Sequence, residues 1–278
     1  MTEHSYQPAD HYDRVTRAWG LLLGAELHYG VFEGADEPLD EATHRLTERM
    51  AAAARFEPDL RVLDVGCGTG AQARYLATEQ GVRVTGITTS SVGVDIARER
   101  TAEAGLDDRV GFEVRDGTDN EFPDASFDRV WILESSHLMP HRDRLVSEAA
   151  RVLAPGGRVV WCDIVRHREI PFLELRDRRE EFATLRAAFG DARMEPLASY
   201  VSWFEDAGLT VEVAEDLTEA TLPTFEAWRT NAEQHRDQVI DLIGESSLEE
   251  FVRSCDILES LWREGTFGYG MAAASKPT

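Results

Sequence analysis

The apolar positions of this chain change period twice. From Tyr12 to Arg55 they recur at helical spacing, with Val15, Trp19, Leu22 and Leu23 on one stripe. A loop, Leu27-His28-Tyr29-Gly30-Val31-Phe32, then separates this helix from a second, which starts near Leu39 and ends before Pro58. From residue 60 to 165 short apolar runs alternate with helical stretches. Strands are expected at 60–65, 82–88, 110–115, 127–134 and 158–165. Helices are expected at 71–79, 91–104 (begun by a serine cap) and 142–153, the last stopped by Pro155-Gly156-Gly157. Such alternation with short connections predicts a parallel sheet covered by helices on both faces.

The regularity ends at Pro171. Residues 171–207 read as helical, with Phe172, Leu175, Phe182, Leu185 and Phe189 on one side. Gly208 precedes a strand at 209–213, residues 223–262 are helical again, and a last strand at 266–274 alternates Phe267, Tyr269 and Met271. The extra helices are expected to form a lid over the ligand end of the sheet; plain packing helices are the alternative. The expected organisation is an N-terminal helical cap (1–57), an α/β core (58–167), a helical lid insertion (168–207), and remaining strands with further lid helices (208–278).

Composition narrows the partners. A formal net charge of −23 makes nucleic acid or an acidic membrane surface a poor partner. No apolar run approaches the roughly 20 residues of a membrane span. The opening residues, MTEHSYQPADHYD, lack the basic and apolar stretches of a secretory signal. Cys67, Cys162 and Cys255 are odd in number and far apart, which suits free thiols in a reducing cytoplasm rather than disulfides. A small-molecule partner is expected, and self-association is left open. His137 and His141 stand four apart, but Pro140 between them disfavours a continuous helix, and no metal site is expected.

Candidate chemistry concentrates where the first strand of the sheet meets its helix, at Val62-Leu63-Asp64-Val65-Gly66-Cys67-Gly68-Thr69-Gly70. Glycines there permit a tight turn and let a ligand approach the backbone. The spacing Gly66-x-Gly68-x-Gly70 departs from the dinucleotide fingerprint G-x-G-x-x-G, and the loop lacks the lysine of a phosphate-binding loop. With these residues, Asp116-Gly117 after the third strand, Phe122-Pro123-Asp124-Ala125-Ser126-Phe127-Asp128 before the fourth, and Leu153-Ala154-Pro155-Gly156-Gly157 before the fifth, the chain resembles the class I S-adenosylmethionine-dependent methyltransferases over residues 60–165. Glu134-Ser135-Ser136-His137-Leu138-Met139-Pro140 and the Leu27–Gly30 loop resemble the subgroup of tocopherol, sterol and natural-product sugar O-methyltransferases. That subgroup often carries a second histidine where Leu138 stands here.

The resemblance implies a doubly wound, mostly parallel, seven-stranded α/β sheet of the Rossmann-like type with a helical lid, and S-adenosyl-L-methionine as cofactor. It implies that Asp64 and the backbone of Gly66 and Gly68 hold the methionine part, and that Asp116 and Gly117 meet the adenine. His28 is expected to close over the methionine end, or else to pack. Thr88 stands where the family usually has an acidic ribose ligand, and a hydroxyl makes only part of that contact. His137 follows the fourth strand and Asp163 lies in the fifth, where open α/β sheets bind ligands. In similar enzymes the matching pair is the acid/base couple. The expected function is O-methylation of a hydroxyl on a secondary metabolite, as in antibiotic biosynthesis, with His137 as general base. Methylation of carbon or nitrogen, and cyclisation with the cofactor bound but not consumed, are the alternatives.

Overall fold

The computed structural model describes residues 8–34 and 36–278, with side chains from residue 16 onward, so the expected place of Val15 on its stripe lies outside the described side chains. The chain forms two compact units. One gathers the described residues up to Arg45 with Ile170–Gly190 and Ala220–Glu264; the other gathers Leu46–Glu169, Asp191–Glu219 and Gly265–Thr278.

The helices, in chain order, are α1 (Pro8–Leu23), α2 (Leu39–Ala54), α3 (Ala71–Glu79), α4 (Ser91–Glu103), α5 (Arg142–Val152), α6 (Phe172–Asp177), α7 (Arg179–Phe189), α8 (Leu197–Asp206), the single turn α9 (Thr218–Thr221), α10 (Thr224–Gln234), α11 (Arg236–Ile243) and α12 (Glu245–Arg263). In the helical unit α12 packs against α7, α10 and α11. It buries Leu248, Phe251, Cys255, Leu258, Leu261 and Trp262, a stripe at helical spacing. Tyr29 stacks on Trp262 with ring centroids 5.5 Å apart and meets Phe225 and Trp228, while Trp19 sits against Phe189 and Phe251. Trp228 and Trp262 are buried core residues, and Trp19 is half-buried.

The other unit is built on one seven-stranded sheet: β1 (Arg61–Val65), β2 (Arg83–Thr88), β3 (Val110–Val114), β4 (Phe127–Leu133), β5 (Leu153–Arg166), β6 (Thr210–Asp216) and β7 (Phe267–Ser275). The strand order is β3-β2-β1-β4-β5-β7-β6. The first five run parallel, and β7 lies antiparallel between β5 and β6. The chain runs outward from β1 through β2 to β3 and then returns to the other side of β1 as β4, so the strand order reverses between β1 and β4, and open α/β sheets bind ligands beyond the carboxyl ends at such a point. The carboxyl ends of β1, β2 and β3 carry the glycine loop, Thr88 and Asp116; those of β4 and β5 carry His137 and Asp163. Leu63, Val65, Val130, Ile132, Val159 and Trp161 form the core with Leu145, Val146 and Ala149 of α5 and Tyr200 and Phe204 of α8.

Three local expectations change. Pro155-Gly156-Gly157 does not separate helix from strand, because β5 begins at Leu153 and runs through it. Gly156 takes φ 75°, and hydrogen bonds of Gly156 N to Lys276 O and Lys276 N to Gly157 O hold the irregular stretch against the chain end. Residues 171–207 are three separate helices; α7 ends at Gly190, whose φ of 87° suits glycine, and α8 packs on α5, β6 and β7. The apolar side drawn over 171–189 is not a buried face, since only Leu185 of α7 is buried and Phe172 is 78% exposed.

Candidate active site

Between β1 and α3 the backbone turns through three positive-φ glycines, Gly66, Gly68 and Gly70, at 81°, 53° and 74°. They are glycine for different reasons. A Cβ on Gly66 would stand 2.2 Å from Cβ of Ser135, so this residue lets β1 and the segment after β4 approach closely. A Cβ on Gly70 would strike the Phe112 ring at 2.4 Å. A Cβ on Gly68 would meet nothing within 4 Å; it faces open space. Beside this loop Asp64 is 3% exposed, and its Oδ2 is buried with no hydrogen-bond partner. Burial raises its carboxyl to about 7.

Thr88 ends β2, and its Oγ1 accepts from the Ser90 backbone N–H at 3.3 Å. Ser90 in turn caps α4, accepting from Gly93 N. Asp116 is exposed just beyond β3; its Oδ1 accepts from both the N–H and the hydroxyl of Thr118 at 2.8 Å. Gly117 is buried, and a Cβ there would come within 2.6 Å of Val65. His28 belongs to the helical unit and is 3% exposed. Its Nδ1 meets the Tyr29 carbonyl at 2.8 Å and its Nε2 faces Glu26 Oε2 at 3.1 Å. Both ring nitrogens are thus occupied by neighbours in the chain.

At the other half of the strand ends the structure brings His137 and Asp163 together. Glu134 adopts φ 45°, a left-handed conformation costly for a residue with a Cβ, immediately after β4. The turn it makes leads into the short 3₁₀ segment Ser136–Leu138. Ser135 is pinned to β1 by Oγ donating to Val65 O at 2.7 Å. His137 Nδ1 then lies 2.6 Å from Asp163 Oδ1, and its backbone N–H donates to Oδ2 at 3.1 Å. Asp163 is fully buried and His137 is 12% exposed. Burial alone would raise the Asp163 carboxyl, but the facing imidazole and the Ser136 hydroxyl bring it below its ordinary value. Burial also opposes the imidazolium, yet the charge and hydrogen bond of Asp163 outweigh it, so His137 lies above the ordinary histidine value. An ionised Asp163 makes Nδ1 the proton-bearing nitrogen of neutral His137 and leaves Nε2 as its basic one.

This geometry sits in a chain whose relatives are plain. The model of the family described as mycolic acid cyclopropane synthetase matches residues 1–267. The chain belongs to that family. It is a class I S-adenosylmethionine-dependent methyltransferase. It is 35% identical over 266 residues to 27-O-demethylrifamycin SV methyltransferase of Amycolatopsis mediterranei, an alignment that covers 96% of this chain and 95% of that protein. It is 32% identical to methyltransferase GfsG of Streptomyces halstedii, covering 98% and 95%. Among solved structures the crystal structure of the [4+2]-cyclase SpnF superposes with a TM-score of 0.78 at 27% identity, over 98% of this chain and 96% of that one.

In this methyltransferase the β1 loop fits the methionine end of the cofactor on its own chemistry. Oδ2 of Asp64 is a buried acceptor without a hydrogen-bond partner, which suits a cationic donor such as an ammonium, and the open space at Gly68 leaves backbone accessible beside it. Sequence does not single out several functional candidates: Ser136, which bonds to Asp163, Trp161 and Tyr200, which bond to Ser136, and Glu134, which accepts a hydrogen bond from Tyr269 Oη. Only the doublet Ser135-Ser136 beside His137 hinted at them; Trp161 and Tyr200 arrive from elements distant in sequence. The described residues hold no helix long and apolar enough to cross a membrane.

Proposed function

We propose that this methyltransferase transfers a methyl group to a hydroxyl of a small, substantially apolar secondary metabolite, with His137 as general base and Asp163 as the group that orients it. The observation that carries this reading is the buried His137–Asp163 contact at 2.6 Å, toward the carboxyl ends of the neighbouring strands β4 and β5. S-adenosyl-L-methionine, when bound, supplies the electrophilic methyl and its own leaving group. Asp64 would hold the methionine ammonium, the backbone at Gly66 and Gly68 would border it, and Asp116 with Gly117 would meet the adenine. Thr88 would give the ribose a single hydroxyl contact. An alcohol becomes a strong nucleophile only as its proton leaves, and Nε2 of His137 is the acceptor for that proton. Asp163 keeps the imidazole in the required tautomer and stabilises the imidazolium that forms.

Leu138, next to the base and 53% exposed, offers an apolar wall to the acceptor where a second histidine would be polar. The relatives named for rifamycin and GfsG support an antibiotic-type metabolite as acceptor. Cys67, Cys162 and Cys255 are all free, which suits action in the cytoplasm. The likeness to SpnF favours one rival, cyclisation without methyl transfer. Incubating the protein with S-adenosylmethionine and a panel of hydroxylated polyketides separates the two: methylation yields a product heavier by one methylene and one S-adenosylhomocysteine per product. An altered product of unchanged mass with no S-adenosylhomocysteine would replace this reading by the cyclase.

A further inference from the structure

Ser136 is fully buried, and all its hydrogen-bonding capacity is spent. Its Oγ receives the indole N–H of Trp161 at 2.8 Å and lies 2.9 Å from the Tyr200 hydroxyl. Its own proton goes to Asp163 Oδ2 at 2.6 Å. A serine hydroxyl has one proton and two lone pairs. With the hydroxyl proton committed to Asp163, Tyr200 must donate to Ser136, since Oγ has no second proton to give. Two donors into one hydroxyl polarise it and strengthen the bond it makes in turn. Trp161 and Tyr200 also stack at 3.8 Å, which fixes both donors in place.

The far end of this chain is the base itself. Asp163 accepts four hydrogen bonds: Oδ2 from Ser136 and the His137 backbone N–H, Oδ1 from His137 Nδ1–H and the Ile164 N–H. A buried carboxylate with fewer donors would concentrate its charge on the imidazole and hold the imidazolium so firmly that little free base remained at neutral pH. Each donor on Oδ2 draws charge away from Oδ1. The other charged groups acting on His137 are Glu134 after β4, which favours its charged form, and Arg142 of α5, which opposes it. Neither bonds to Asp163. Ser136 is therefore placed to adjust the couple without touching acceptor or cofactor.

We propose that Ser136, polarised by Trp161 and Tyr200, is a positioning residue that sets the basicity of His137 by drawing charge from Asp163. The consequence for turnover rests on His137 being the base; the effect on His137 itself does not. The test is an NMR titration of the His137 ring proton, assigned by its loss in His137→Asn, in the wild type, Ser136→Ala and Tyr200→Phe, paired with single-turnover rates against pH. Ser136→Ala should raise the His137 pKa by about half a unit or more, with a smaller rise in Tyr200→Phe. The alkaline-rising limb of the rate should move up by the same amount. Tyr200→Phe removes one oxygen and keeps the ring, so it carries the test if Ser136→Ala fails to fold. An unmoved or lowered His137 pKa in the folded variants overturns the proposal. A raised pKa with an unmoved rate limb upholds the network and instead removes His137 as base.

Discussion

Asp64 makes a prediction in which stability and binding move in opposite directions. Its carboxyl is raised to about 7 by burial, whereas an unfolded aspartate titrates near 3.9. Between these values the folded chain holds a proton that the unfolded chain has released, so stability falls as pH rises through that window. Relative to a chain permanently neutral at this position, linkage with those two pKa values costs about 1.5 kcal/mol at pH 5 and about 4 kcal/mol at pH 8. Asp64→Asn keeps the shape and removes the charge. It should therefore stabilise the ligand-free protein, with a gain that grows by about 2.5 kcal/mol between pH 5 and pH 8. The same substitution removes the anion proposed to meet the methionine ammonium, and affinity for S-adenosylmethionine should fall roughly 10- to 100-fold. Urea unfolding of both proteins at the two pH values, with calorimetric titration of the cofactor at pH 8, measures both effects. A stability difference that does not change with pH, or an Asn variant that binds as tightly as wild type, refutes the assignment of Asp64 as the anion for the methionine ammonium.

Binding to wild type should release a proton below pH 7, and affinity should weaken about tenfold per unit as pH drops further; titration in buffers of different ionisation heat reads this directly. Gly66→Ala should destabilise the fold by several kcal/mol through its contact with Ser135, whereas Gly68→Val meets no neighbour but strains the backbone at φ 53°, costing about 1–3 kcal/mol, and should also weaken cofactor binding; thermal melts and titration on the same pair measure both, and a Gly68→Val variant that binds the cofactor like wild type would be the wrong pattern. Asp163→Asn should lower the His137 pKa and slow turnover, with loss of the pH-dependent limb near neutrality; a variant whose pH–rate curve overlays wild type would detach Asp163 from the base. Hydrogen exchange should show protection gained in residues 171–189 and 223–262 when cofactor and acceptor bind, and protection confined to 60–135 would argue against a part for these helices in acceptor binding.

The glycine loop proposed to hold the cofactor was legible as a strand-to-helix turn because it is local. Asp64, Gly66, Gly68 and Gly70 fall within seven consecutive residues, and a strand followed by a helix can turn through them in few ways. Asp116 and Thr88 follow because parallel strands with short connections bring their carboxyl ends to one edge. The pairing of His137 with Asp163 was also foreseeable, since they end neighbouring strands. What supports that pair was not. Tyr200 reaches Ser136 from α8, 64 residues along, and no periodicity announces which tyrosine of a helix will meet a buried serine. The antiparallel insertion of β7 between β5 and β6 was equally hidden, because strand order among the last three strands is a long-range contact choice. The helical stretch after Pro171 misled for a different reason: its apolar spacing is real, but α6 leaves Phe172 and Leu173 exposed instead of burying them. His28 shows a motif residue whose nitrogens are both engaged by Tyr29 and Glu26.

The most direct measurement is the single-turnover rate of methyl transfer to a hydroxylated acceptor by wild type and His137→Ala, with S-adenosylhomocysteine counted against product. General-base catalysis contributes roughly 10²- to 10⁴-fold, so the variant should be slower by about two to three orders of magnitude while cofactor affinity stays near wild type. A His137→Ala enzyme that transfers the methyl group at close to the wild-type rate would contradict the account.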